Sequence, residues 1–171
     1  MKIALVLVGV AVQERDEIER LVREINDRHR SDDGTQPIVY INEQLDEAAL
    51  AERYRAADCL VVTSLADGMN LVAKEFVACR SALRGSVILS EFAGAANDLP
   101  GAMVVNPYDV EAIETAMLHA VSMPVDEQRT RMTSMRDQVR EHDLNEWARS
   151  YLARLGSATG RREIRRWPLA T

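Results

Sequence analysis

The chain has 171 residues, a formal net charge of −6, 47% hydrophobic and 28% charged residues. That is a soluble globular composition, long enough to bury a core without disulfides or metals. The acidic balance argues against nucleic-acid or anionic-membrane binding, and 5% aromatic residues are too few for base-stacking platforms.

Lys2 and the apolar run Ile3 to Val12 have the outline of a secretion signal. However, Gln13-Glu14-Arg15-Asp16-Glu17 follows at once, and the run is rich in β-branched residues. A buried parallel strand over 3–10 is the better reading. No stretch is long enough to span a membrane, and the expected location is cytoplasmic. Ile18, Leu21, Val22 and Ile25 recur at helical spacing and predict a helix over 14–30, broken by Ser31-Asp32-Asp33-Gly34. A strand over 37–41, a helix over 46–57 and a strand over 59–63 follow.

The strand Cys59-Leu60-Val61-Val62 runs into Thr63-Ser64-Leu65-Ala66-Asp67-Gly68-Met69, and a helix is expected from Asn70 to about Arg80. Ser86 to Ser90 reads as a fourth strand, ending in the small-residue loop Phe92-Ala93-Gly94-Ala95-Ala96. Ala102 to Val105 reads as a fifth, ending in Asn106-Pro107-Tyr108-Asp109, with Asp109 as the cap of a helix striped by Val110, Ile113, Met117 and Val121. After Pro124, residues 126–142 are heavily charged behind a thin stripe of Met132, Met135 and Val139. Residues 144–155 put Leu144, Trp147, Ala148, Tyr151, Leu152 and Leu155 on one face, which requires a partner surface. The organisation expected is one domain over 1–156 and a disordered basic tail over 157–171, which carries Arg161, Arg162, Arg165 and Arg166. Cys59 and Cys79 read as buried free thiols. His29, His119 and His142 are scattered without metal-type spacing, and no cofactor or metal is expected.

Alternating strands and helices predict an α/β fold, a Rossmann-like parallel sheet with helices on both faces and right-handed crossovers. Ligands of such sheets sit at the carboxyl ends of the strands. Three loops fall there, 64–70, 91–97 and 106–109. A strand, a glycine turn and a helix N-terminus make an anion site: Gly68 allows close approach, and the amides of Asn70, Leu71 and Val72 are the unpaired donors of the first turn. Asp67, Leu71 and Glu75 follow at four-residue steps, and two carboxylates beside a phosphate suit sugar hydroxyls. Other readings stay open at this point. Asp67 is also read as an N-cap, Glu75 as a solvated or ion-paired glutamate, Met69 as core filler and Lys74 as solvated.

Tyr54-Arg55-Ala56-Ala57-Asp58, Asp67-Gly68-Met69-Asn70-Leu71-Val72-Ala73-Lys74-Glu75-Phe76-Val77-Ala78, Leu89-Ser90-Glu91-Phe92-Ala93-Gly94-Ala95-Ala96 and Val105-Asn106-Pro107-Tyr108-Asp109 stand in this order, closed by Asp143 and Trp147. In this text the chain resembles the retaining glycosyltransferases of the trehalose-6-phosphate synthase type, over residues 14–152. The resemblance implies the C-terminal, nucleotide-sugar-binding domain of a GT-B fold. It implies transfer of glucose from UDP-glucose, or another nucleotide-glucose, to glucose-6-phosphate with retention and without a metal. It places Asp67 and the backbone of Gly68, Met69 and Asn70 at the donor sugar, with Asp67 as the catalytic residue. The amides of Leu71 and Val72 fall at the diphosphate and Glu75 at the ribose.

The chain also departs from the family. Set against the resemblance, these residues are expected to lack the acceptor domain and the first strand and helix of the donor domain, with the Arg and Lys that neutralise the diphosphate. Ser64 and Ala66 stand where a proline and a basic residue are expected. The expectation is therefore a donor-binding part that binds nucleotide-sugar weakly or not at all and is inactive alone, with a protein partner supplying the N-terminal half. The alternative is a non-catalytic regulatory module that pairs with a full synthase. A receiver or flavodoxin-like domain is disfavoured, because Val10-Ala11-Val12-Gln13 is not an acidic cluster.

Overall fold

The structure, a computed structural model, describes residues 5–8, 15–142 and 144–159. The chain divides into two compact units, Met1–Leu50 and Ala51–Thr171.

In the first unit, β1 (Leu5–Val8) pairs in parallel with β2 (Ile38–Ile41), Leu5 opposite Ile38 and Val8 opposite Ile41. Helix α1 (Arg15–His29) connects them and packs on β2. Its predicted stripe is only partly covered: Leu21 and Ile25 are exposed, and the one buried residue of the helix is Asn26. The Asn26 amide donates to the Ile38 carbonyl and accepts from the Ile38 amide, both at 2.9 Å. A side chain thus completes the ladder at the start of β2. The outer face of α1 is laced by exposed pairs such as Arg15–Glu19 and Arg20–Glu24, each worth a few tenths of a kcal/mol.

Helix α2 (Glu47–Ala56) begins at a cap in which Asp46 accepts from the Ala49 amide at 2.8 Å, and it crosses the division between the units.

In the second unit, β3 (Cys59–Val62), β4 (Ser86–Ser90) and β5 (Met103–Val105) form a parallel sheet in the order β3-β4-β5. The predicted parallel pairing is present, distributed over a two-stranded and a three-stranded sheet. Every residue of β4 is buried, as befits a central strand covered on both faces. On one face Ile88 and Val105 pack with Ala120, Ile113, Ala116 and Met117 of α5 (Val110–Ser122). That corrects the predicted stripe. Val110 and Val121 are exposed, because the covered face follows 113, 116, 117 and 120. Helices α3 (Leu71–Cys79) and α6 (Val125–Glu141) pack together and against β3 and β4, burying Phe76, Val77, Met132 and Met135. Here the predicted methionine stripe holds.

The loop expected at 92–96 contains a short helix, α4 (Ala95–Asp98). Helix α7 (Leu144–Thr159) leaves Tyr151, Leu152 and Leu155 exposed. Asp143 and the tail from 160 lie outside the described residues, as does the segment 9–14. Cys59 and Cys79 are free and half-buried, and burial raises the Cys59 thiol above its usual range. Among the described residues, no helix is long and apolar enough to cross a membrane.

Candidate functional site

The carboxyl ends of β3, β4 and β5 carry the three loops singled out in the sequence, and the backbone ties them together. Asp67 forms an isolated parallel bridge with Ala93. Its amide donates to the Phe92 carbonyl at 3.2 Å, and the Gly94 amide donates to its carbonyl at 2.9 Å. Gly94 is required by this approach, since a Cβ there would lie 2.3 Å from the Gly68 carbonyl oxygen. Ser90, fully buried at the end of β4, accepts from the Phe92 amide at 3.1 Å and sets the start of its loop. The third loop joins through Tyr108, whose ring meets that of Phe92 edge-on at 6.3 Å.

Within the turn, Asp67 is the organiser. Its Oδ1 accepts from the amides of Met69 and Asn70 at 3.1 and 2.8 Å, and its Oδ2 accepts from the Asn70 side-chain amide at 2.8 Å. These donors, the Asn70 side chain first, hold the Asp67 carboxyl below its usual range, so it stays ionised. The N-cap of α3 is Asn70, not Asp67: Asn70 Oδ1 accepts from the Ala73 amide at 3.0 Å. Its φ of 62° is left-handed, a conformation asparagine tolerates better than most residues. Asn70 is buried with both ends of its side chain engaged, so it supports the turn from within.

Of the three amides expected to be open, Asn70's is therefore taken by Asp67. Those of Leu71 and Val72, the first two of α3, find no acceptor in their own helix. The side chains there are apolar and exposed: Leu65 at 58%, Leu71 at 57%, and Met69, Val72 and Phe92 with them. Met69 is thus not core filler.

One turn into α3, Glu75 accepts a hydrogen bond from the Tyr54 hydroxyl at 3.1 Å. Lys74 is ion-paired rather than solvated, its Nζ 2.6 Å from Asp98 Oδ2, which ties α3 to α4. All the predicted site residues, Asp67 to Val72 and Glu75, thus lie on one turn and the first half of one helix. Sequence reasoning assigned no part to Tyr54, Ser90 or Asp98. Tyr54 and Ser90 stood within the matching text as quoted; Asp98 carries no local signal. Among the described residues, no group of three or more His, Cys, Asp or Glu side chains could hold a metal ion.

Residues 8–157 match glycosyltransferase family 20. The chain is 44% identical over 146 residues to the trehalose-6-phosphate synthase of Mycobacterium avium, covering 85% of this chain and 30% of that one. It is 45% identical over 126 residues to that of Sinorhizobium fredii, 73% and 27% of the two chains. Among solved structures, it is similar to the E. coli trehalose-6-phosphate protein bound with UDP-2-fluoro glucose, with a TM-score of 0.84, 34% identity, and coverage of 90% of this chain and 36% of that one. It is equally similar to a UDP-forming alpha,alpha-trehalose-phosphate synthase from Burkholderia xenovorans in complex with glucose-6-phosphate, with a TM-score of 0.83, 34% identity and the same coverages. The chain thus spans about a third of the length of the proteins it matches.

Proposed function

The chain belongs to glycosyltransferase family 20, and from that membership we propose that it is the donor-binding part of a retaining, trehalose-6-phosphate synthase-type enzyme. The donor is UDP-glucose or another nucleotide-glucose, and the acceptor glucose-6-phosphate belongs to a part of the enzyme outside this chain. The observation that carries the reading is the turn Asp67–Val72, pinned to the loop after β4 with two helix amides open above the strand ends. Those amides, of Leu71 and Val72, take the diphosphate, aided by the N-terminal dipole of α3. The glucose lies against Gly68 and Met69, beside Asp67. The remaining lone pair of Asp67 Oδ2 accepts from a sugar hydroxyl. Asn70 acts by holding Asp67, and Glu75 accepts from the ribose hydroxyls. An ionised Asp67 is no general acid; its negative charge stabilises the oxocarbenium-like sugar while the amides stabilise the leaving diphosphate. No step of this scheme calls on a metal.

Because the chain spans about a third of its relatives, the reading assigns it binding and not turnover. The test is a titration of isotope-labelled chain with UDP-glucose, followed by amide shifts. Weak binding with shifts confined to residues 67–75 and the loop 92–94 is expected, and Glu75→Ala should weaken it. Absence of binding up to about 10 mM, or shifts elsewhere, overturns the reading. UDP release from UDP-glucose and glucose-6-phosphate by the chain alone would show that it is more than the donor-binding part.

A further inference from the structure

We propose that Tyr54 is the positioning residue of Glu75: its hydroxyl, fixed by the junction of α2 and α3, aims the carboxylate outward for a vicinal pair of sugar hydroxyls. This rests on the donor reading above, which gives Glu75 the ribose. Glu75 is exposed on a long, rotatable side chain, and an unaimed carboxylate would lose rotamer freedom on meeting a ligand. Tyr54 removes that freedom beforehand by donating to Oε2 at 3.1 Å. The other oxygen and the remaining lone pairs stay available, since a carboxylate accepts about four hydrogen bonds.

Tyr54 can do this because its own position is over-determined. Only 7% exposed, it sets its ring edge-on to the buried Phe76 at 6.1 Å and 89°. The Arg80 guanidinium lies over the same Phe76 ring at 5.4 Å. Arg80 Nη1 donates to the carbonyls of Tyr54, Arg55 and Ala57 at 3.0, 2.7 and 2.8 Å, gripping the end of α2. Gly85, at φ +106°, leaves room for that guanidinium; a Cβ there would lie 3.1 Å from Arg80 Nη2. The last turn of α2 is thereby fixed to the far end of α3, with the hydroxyl one turn back on Glu75. Burial, and then the Glu75 carboxylate, raise Tyr54 above the usual phenol range, so it remains a donor wherever the chain is folded.

A hydroxyl that only satisfied itself on a surface carboxylate would leave ligand recognition untouched. The test compares UDP with 2′,3′-dideoxy-UDP on the wild type, Tyr54→Phe, Glu75→Ala and the double variant. The expected result is a loss of about tenfold in UDP affinity for Tyr54→Phe, the size of one hydrogen bond, with dideoxy-UDP binding unchanged. The double variant should bind no worse than Glu75→Ala. If Glu75→Ala weakens UDP and Tyr54→Phe does not, Tyr54 has no positioning role and the donor reading stands. Equal losses for UDP and dideoxy-UDP in Tyr54→Phe overturn it as well, marking a structural effect. If Glu75→Ala binds UDP as the wild type does, or the wild type binds no UDP at about 10 mM, the ribose assignment falls and takes this role with it. A ligand-free measurement covers a Tyr54→Phe chain that fails to fold. At neutral pH the Tyr54 Cζ resonance should shift in Glu75→Ala, which removes the acceptor of its hydroxyl, and an unmoved resonance overturns the proposal.

Discussion

The main chain of Gly94 passes so close to that of Gly68 that a methyl group at position 94 would meet the Gly68 carbonyl oxygen at 2.3 Å. The backbone of Gly94 is itself ordinary, at φ −56° and ψ −33°, so another residue could adopt it without strain. The demand for glycine comes wholly from the neighbouring turn. Gly94→Ala must push two backbone segments apart, and a loss of about 1–3 kcal/mol is expected in urea unfolding. UDP-glucose binding should weaken more than stability, because the segment displaced is the turn proposed to hold the donor. A neutral Gly94→Ala would show that the two loops are not in contact.

Asp67 makes a prediction about pH. Its folded-state carboxyl is held below the ordinary range by the Asn70 side chain and the Met69 and Asn70 amides. A depressed carboxyl contributes stability above its unfolded pKa of about 3.9 and loses it as pH falls through the lower folded value. The wild type should therefore exceed Asp67→Asn in stability by a constant margin at neutral pH. That margin should shrink only below about pH 4, which unfolding curves from neutral to acid pH would follow. A margin that already closes between pH 5 and 7 would contradict the arrangement.

Arg80 is buried, and its guanidinium satisfies the carbonyls of Tyr54, Arg55 and Ala57 through Nη1 and of Arg84 through Nε, the last at 2.6 Å. Arg80→Met leaves these acceptors without their donor, at about 1–3 kcal/mol for each that water cannot reach. A total loss of about 3 kcal/mol or more is expected in urea unfolding. Arg80→Lys should fail to restore it, because a single ammonium cannot reproduce the planar fork.

Lys74 gives the contrasting case. Its 2.6 Å pair with Asp98 is half open to solvent on the Asp98 side. Lys74→Met should cost under about 1 kcal/mol, with the difference falling at high salt. A large, salt-insensitive loss would mean that the pair carries more of the α3–α4 junction than its exposure suggests.

The elements and their order were readable because each signal was local. Asp109 caps α5 by accepting from the Ala112 amide at 2.9 Å, as an aspartate before an apolar run should. The fully buried β4 matched its continuous apolar run, and the three loops fell at the strand ends that parallel topology dictates. The turn Asp67–Val72 lies at the end of β3 as the strand–turn–helix pattern implied, but its internal bonding could not be read from the sequence. Whether Asp67 or Asn70 caps α3 depends on a left-handed backbone at Asn70, which the neighbouring residues do not reveal. Tyr54 on Glu75, and Asn26 on the backbone of Ile38, join residues separated by 21 and 12 positions, and only tertiary packing supplies those partners. The stripe on α5 was misjudged at Val110 and Val121, where apolar side chains one step off the covered face remain in water.

Strand β3 carries Cys59-Leu60-Val61-Val62 and, among the described residues of its sheet, has β4 on one side and no strand on the other. The consequence is one of exchange rates. Cys59–Val62 are half-buried where every residue of β4 is buried, so the amides of β4 should be the last of this sheet to exchange with solvent. Hydrogen exchange followed by NMR should show higher protection along Ser86–Ser90 than along Cys59–Val62.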